Sequence, residues 1–342
     1  MAHRRVVRLG IMGFGQIGRQ VFDLASQTED IQVVAIADFG QADVLHYLLR
    51  AECADPQRHR LEGNFLVNES SRARLMQIDR PIEMPWDVFD VDLVIDATGQ
   101  HRKSSDLQDH LANGAPRVLL RTLPGDAIDR LVVPGVNEAS VQCSDRKVSA
   151  GSATTSALAV LLSVLDEKLG IACASATSIH AYTSDQMLQD YASGDLRRSR
   201  SAAKNIIPNG HEAAEWIPTI LPNMAGKVTS SALNVPVHEG CLLDTNIVID
   251  EPSVDVADID KILREAAARR PDILGVADDP IVSSDVIGST HTLLYDSQGT
   301  IKAGQNTIKI LGWYESRGHA ARLLDVARLY ADLDARSAGE VA

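Results

Sequence analysis

The sequence predicts an α/β chain of two domains, the first built on a parallel sheet. Three observations carry this. The 342 residues suit two domains of ordinary size, each able to bury its own core. A short apolar strand at 6–11 runs straight into a glycine-rich turn and then into helical periodicity. Further apolar strands at 32–37, 91–96 and 117–120 each close on polar or glycine residues, as strands of an open parallel sheet do beside a ligand crevice.

The turn after the first strand reads Gly13-Phe14-Gly15-Gln16-Ile17-Gly18. Glycines are needed there for a tight turn, for backbone contact with a pyrophosphate and for close helix–strand packing. A helix over 16–26 would pack through Ile17, Val21, Phe22 and Leu24, its N-terminus facing that pyrophosphate. The next strand ends at Asp38, twenty residues past Gly18. A carboxylate at that place accepts from ribose hydroxyls and repels a 2′-phosphate, so NAD is the expected cofactor rather than NADP. A glycine-rich turn with a surface aspartate is the alternative reading. The strand ends at Thr98-Gly99 and Thr122 should face the same cofactor edge.

Composition narrows the classes. Asp and Glu number 46 against 33 Lys and Arg, a net charge of −13, which argues against a nucleic-acid partner. No run of 18 apolar residues occurs, so neither a membrane span nor a secretory leader is expected. The four cysteines (Cys53, Cys143, Cys173, Cys241) have no metal-ligand or CxxC spacing and read as reduced cytoplasmic thiols, with no metal site. The tail from residue 335 is expected to fray.

Several blocks then arrive in order: Ser152-Ala153-Thr154-Thr155, His180-Ala181-Tyr182-Thr183 with Gln186, Arg200 through Asn205-Ile206-Ile207-Pro208, Val235-Pro236-Val237, and Trp313-Tyr314. Together they resemble the glyceraldehyde-3-phosphate dehydrogenase family over nearly the whole chain. The resemblance implies a Rossmann-type parallel sheet domain at 1–152, an α+β catalytic domain at 153–316, and a C-terminal helix at 317–342 returning to the first domain. Val133-Pro134-Gly135-Val136-Asn137 resembles a family strand leading to the site turn. It also implies a homotetramer, and matches the Arg-rich stretch at 185–204 to a loop reaching a neighbouring subunit's cleft. A solvated basic loop is the alternative there.

By that resemblance Ala153 occupies the nucleophile position, where the family keeps a cysteine, and His180 is the base that activates it. Ser152, Thr154, Thr183 and Arg200 are expected to touch substrate. The departures cluster around the anion sites: Asn234 stands for an arginine, and His211-Glu212 for a threonine–glycine pair. Asn234 brings no charge and Glu212 would oppose a phosphate, which makes triose phosphate with inorganic phosphate a poor substrate pair. For His211 and Glu212 the alternative is a surface helix start. Ser316 aligns with the asparagine that orients the nicotinamide, and Ser156 with the one after the site's threonines.

Three functions follow. The first is an NAD-dependent aldehyde dehydrogenase with an altered phosphate pocket, seen as a Cys→Ala inactive form. The second is a natural thiol-free oxidoreductase that transfers hydride directly, with His180 or His211 taking the proton. The third is an NAD-binding scaffold without turnover. The expected partners are a small-molecule aldehyde and further copies of the chain.

Overall fold

The computed structural model describes residues 6–337 except 211 and 252, together with 339. Two compact units divide the chain: Met1–Pro134 with Glu138–Gly151 and Ala320–Ala342, and Gly135–Asn137 with Ser152–His319.

The first unit is a nine-stranded sheet. Its parallel run places Arg72–Gln77, Ile31–Asp38, Val7–Met12, Leu93–Asp96, Val118–Leu120 and Lys147–Ser149 side by side. Chain order reverses at Val7–Met12, which has the second strand on one side and Leu93–Asp96 on the other. That is the switch point at which open α/β sheets leave a crevice. Ile11, Ile36 and Ile95 are wholly buried under Val21 and Phe22 of the helix Gln16–Ala25 and Leu323 and Tyr330 of the helix Ser316–Ser337. The latter helix stays regular through Ser337, so residues 335–337 are helical and not frayed. Residues 338 and 340–342 lie outside the described residues.

One expected strand is absent. Residues 134–137 form a turn, and the strand before it is only Arg130–Leu131. Pro134 has no N–H for a ladder and Gly135 adopts φ +92°, so the segment bends.

The second unit is an eight-stranded mixed sheet. Along it run Ile207–Gly210, Val228–Val235, Ile171–Ala181, Cys241–Ile249, Thr307–Tyr314, Leu293–Asp296 and Leu274–Ala277. The helix Ala153–Leu169 packs on its middle strands. That helix is apolar nearly all round, with Leu158, Leu161, Leu162 and Leu165 fully buried, as a core helix must be. It starts at Ala153 because Ser152 caps it, accepting from Thr155 N at 3.2 Å.

Candidate active site

In the first unit the glycine turn closes on itself. Gly13 sits at φ +88°, and a Cβ there would fall 2.8 Å from the Thr98 backbone nitrogen. A Cβ on Gly18 would lie 2.2 Å from the Gly13 carbonyl oxygen, so both positions require glycine. Gly15, by contrast, has open space before it. The helix Gln16–Ala25 begins with Gly15 at its cap position, which has no side chain to bond the first amides. Those amides and their positive end suit an anion. Asp38 is buried at the strand end, its Oδ2 accepting from Phe14 N at 2.7 Å and its Oδ1 from Gly40 N at 2.8 Å. Each oxygen keeps a lone pair for a ribose hydroxyl. A dinucleotide fits this turn.

The neighbouring strand end holds a buried network. Trp86 Nε1 donates to His110 Nδ1 at 3.0 Å, which puts the imidazole proton of His110 on Nε2, 3.2 Å from Asp96 Oδ2. His101 Nδ1 reaches the same oxygen at 3.0 Å, and Thr98 N and Oγ1 donate to Asp96 Oδ1 at 2.9 and 2.6 Å. Burial alone would raise the Asp96 carboxyl, but its histidine and threonine donors hold it well below the usual carboxylate range. His101 is raised in turn by its bond to Asp96. Thr98, expected at the cofactor, thus spends its hydroxyl proton inward. The Thr122 carbonyl accepts from Ser149 Oγ at 2.7 Å.

In the second unit the start of the helix Ala153–Leu169 meets the end of the strand Ile171–Ala181. Thr154 Oγ1 lies 2.8 Å from the Tyr314 hydroxyl, which lies 2.6 Å from Ser178 Oγ. Tyr314 is buried, and that burial raises its phenol well above the usual range, so it stays a neutral donor. His180 packs edge-on to the Tyr314 ring, centroids 6.2 Å apart. His180 Nδ1 is 2.6 Å from the Ala181 carbonyl. A carbonyl can only accept, so Nδ1 carries a proton, and Nε2 is the nitrogen that gains or loses one as the ring titrates. Burial would depress the His180 pKa, but the Cys241 thiol, the Ala181 carbonyl and the Asp185 charge reverse this and push it up to about 8.

Residues 7–104 match the family described as glyceraldehyde 3-phosphate dehydrogenase, NAD binding domain, and residues 152–316 match its C-terminal domain. The glyceraldehyde-3-phosphate dehydrogenase of Mycobacterium avium is 37% identical over 335 residues, covering 94% of this chain and 98% of that protein. The chain belongs to the glyceraldehyde-3-phosphate dehydrogenase family. Glyceraldehyde-3-phosphate dehydrogenase 1 of Bacillus cereus is 33% identical over 329 residues (94% and 98% covered). The Haloarcula vallismortis enzyme is 36% identical over 334 residues (94% and 97%). This glyceraldehyde-3-phosphate dehydrogenase family member is an NAD-dependent oxidoreductase with a Rossmann-type NAD-binding domain and a catalytic C-terminal domain. Among the described residues no helix is long and apolar enough to cross a membrane.

The expected substrate residues of this family member divide into two groups. Ser152, Ala153 and Thr154 gather at the helix start, and Asn234 lies in register with His180 on the adjacent strand. Asn234 is buried, donating to the Ala181 carbonyl at 3.4 Å and accepting from Asn209 Nδ2 at 3.3 Å. Thr183, Arg200 and Glu212 are exposed. Thr183 donates to Asp185, Arg200 pairs with Asp190 at 3.2 Å, and Glu212 caps the helix Ala213–Ile220. His211 lies outside the described residues. Ser316 donates to Glu315 Oε1 at 2.6 Å.

Sequence reasoning missed two features. The Asp96 network joins residues from 86 to 110, a span in which no motif announces it. Cys241 was read only as a reduced thiol, although its place at a strand start beside the Val-Pro-Val block was visible. Asp96 with His101 and His110, and Asp23 with Cys53 and His59, each bring three potential ligand atoms together that spacing did not suggest. Both are already tied by internal hydrogen bonds.

Proposed function

We propose that the chain oxidises an unphosphorylated aldehyde with NAD, using His180 as its base. The observation that carries this is the His180 imidazole, held by Ala181 through Nδ1 so that Nε2 is left to exchange a proton. Gly13, Phe14, Gly15, Gln16, Ile17, Gly18 and Asp38 would hold the dinucleotide, with Thr98, Gly99, Thr122 and Ser316 toward its nicotinamide. When bound, NAD accepts the hydride. The chain's own part is to bind and orient the aldehyde, and to take its proton at His180 Nε2. The amides at the start of the helix Ala153–Leu169 would stabilise the carbonyl oxygen as it gains charge.

The altered phosphate pocket supports the substrate class. Asn234 is neutral and engaged with Asn209 and Ala181, and Glu212 adds a negative charge at the start of the helix Ala213–Ile220. An arginine–phosphate hydrogen bond contributes roughly 1.5–3 kcal/mol, which is about 10- to 100-fold in binding. Offered a panel of aldehydes with NAD, the protein should form NADH from short hydroxyaldehydes. Its kcat/KM for glyceraldehyde 3-phosphate should be at least about tenfold lower. A preference for the triose phosphate overturns the altered pocket. NADH from no aldehyde favours the inactive form in which Ala153 replaces a cysteine, or the scaffold.

A cytoplasmic homotetramer completes the proposal, on the strength of the family resemblance and of the Arg-rich stretch at 185–204. Light scattering should give four times the mass of one chain. A monomer across micromolar concentrations sinks this part alone.

A further inference from the structure

The second unit holds one reactive group that the reaction above does not use. Cys241 opens the strand Cys241–Ile249 and is only 7% exposed. It pairs directly with Tyr314 on one side. On the other, the antiparallel ladder runs Ser178↔Leu243 and ends at Ile179↔Leu242, one position short of His180 and Cys241, whose side chains interact directly. His180 is in turn in register with Asn234. Residues opposite one another on neighbouring strands share a face. Asn234, His180, Cys241 and Tyr314 therefore form one row across four strands. Thr154, one residue past Ala153, bonds to the Tyr314 end of that row.

The backbone fixes the thiol in this place. Gly240 adopts φ +78°, and a Cβ on it would sit 2.1 Å from the Ser283 carbonyl oxygen, so the residue before Cys241 must be glycine. The other cysteines are placed differently. Cys53 donates to Asp23 at 3.4 Å, Cys143 lies against Ser337 Oγ at 2.7 Å, and Cys173 is exposed on a strand. A thiol is activated when a base can take and hold its proton, and His180, whose Nδ1 is held by Ala181, has Nε2 to receive it.

We propose that Cys241 is the nucleophile of this chain, one strand over from the base, where position 153 offers only a methyl group. This rests on the aldehyde-oxidising reading above. The thiol proton passes to His180 Nε2, the sulfur–carbon bond forms, and the carbonyl oxygen takes that proton to give a hemithioacetal. His180 then removes the hydroxyl proton while the carbon loses hydride to the nicotinamide cofactor. The substrate carbon is oxidised by two electrons to a thioester and the cofactor is reduced. Water adds to the thioester, the carbon–sulfur bond breaks, and the carboxylic acid leaves with the thiol restored.

Two measurements on the intact protein test this. With the best aldehyde and NAD, NADH formation should fall at least about 100-fold in Cys241→Ser and in Cys241→Ala, with folding checked by circular dichroism. Acid-quenched wild-type protein should carry the acyl group on the Cys241 peptide. Independently of NAD, iodoacetamide at pH 6 should label Cys241 at least about tenfold faster than exposed Cys173, and His180→Gln should remove that advantage. The His180 titration should also move down in Cys241→Ser, since burial would then act with less opposition. Undiminished NADH in both Cys241 variants overturns the thiol and leaves the dehydrogenase reading standing. If no aldehyde yields NADH, that reading falls, and the labelling decides the thiol. Fast, His180-dependent labelling upholds the activated pair, and labelling no faster than Cys173 overturns it.

Discussion

Placing cysteine at position 153 of the Cys241→Ser protein should restore aldehyde oxidation by about a thousandfold or more. The argument is positional. Ala153 is the first residue of a 17-residue helix, so a thiolate there would sit at the positive end of aligned peptide dipoles. Ser152 caps that helix, and Thr154 ties it through the Tyr314 hydroxyl to Ser178, two residues before His180. A sulfur at 153 therefore joins a start already anchored to the strand of the base. The assay is NADH absorbance with the best aldehyde, comparing Cys241→Ser with the double variant. A double variant as slow as the single one would show that His180 does not serve position 153.

The second large effect concerns stability. Asp96→Ala should cost the first unit about 3–5 kcal/mol, because it strips a buried carboxylate from two histidines and a threonine. The wild-type contribution should depend on pH at both ends. The Asp96 carboxyl is lowered on folding, so its contribution is present above an unfolded pKa near about 4 and is lost as pH falls. His101 is raised on folding, so its share is present below about 6.5 and is lost as pH rises through its folded value. Denaturant midpoints for Asp96→Ala and wild type should therefore differ most between those limits. A gap that is flat from pH 4 to 9, or under about 1 kcal/mol, would mean the network does not act as an ion pair.

Much of the fold was legible because local chemistry decides it. Gly13 and Gly18 leave no room for a side chain, so the turn writes itself into the sequence. Val7–Met12 and Ile31–Asp38 are nearly continuous apolar runs because both faces are covered. The strand expected at 133–137 failed because family likeness outweighed Pro134 and Gly135, whose backbone preferences were plain. His180 was found through its block. What escaped depends on pairing across strands: Cys241 gains its neighbours from a ladder with residues more than 60 positions earlier and 73 later. Periodicity along one strand says which residues share a face, and nothing about which strand lies alongside. Asn234 was read as a lost charge, whereas burial shows its amide bonded to Asn209 and Ala181.

The glycine at the start of the helix Gln16–Ala25 has a consequence for the protein as a whole. Gly15 carries no capping oxygen, a part most helices have in their own sequence. A pyrophosphate seated there would supply that partner from outside, and occupancy and folding would become linked quantities. At a hundredfold excess over its dissociation constant, a ligand that selects the folded chain adds about 2.7 kcal/mol. Nucleotide would then act as a structural resource for this protein, and its removal would leave the chain softer and easier for proteases to open.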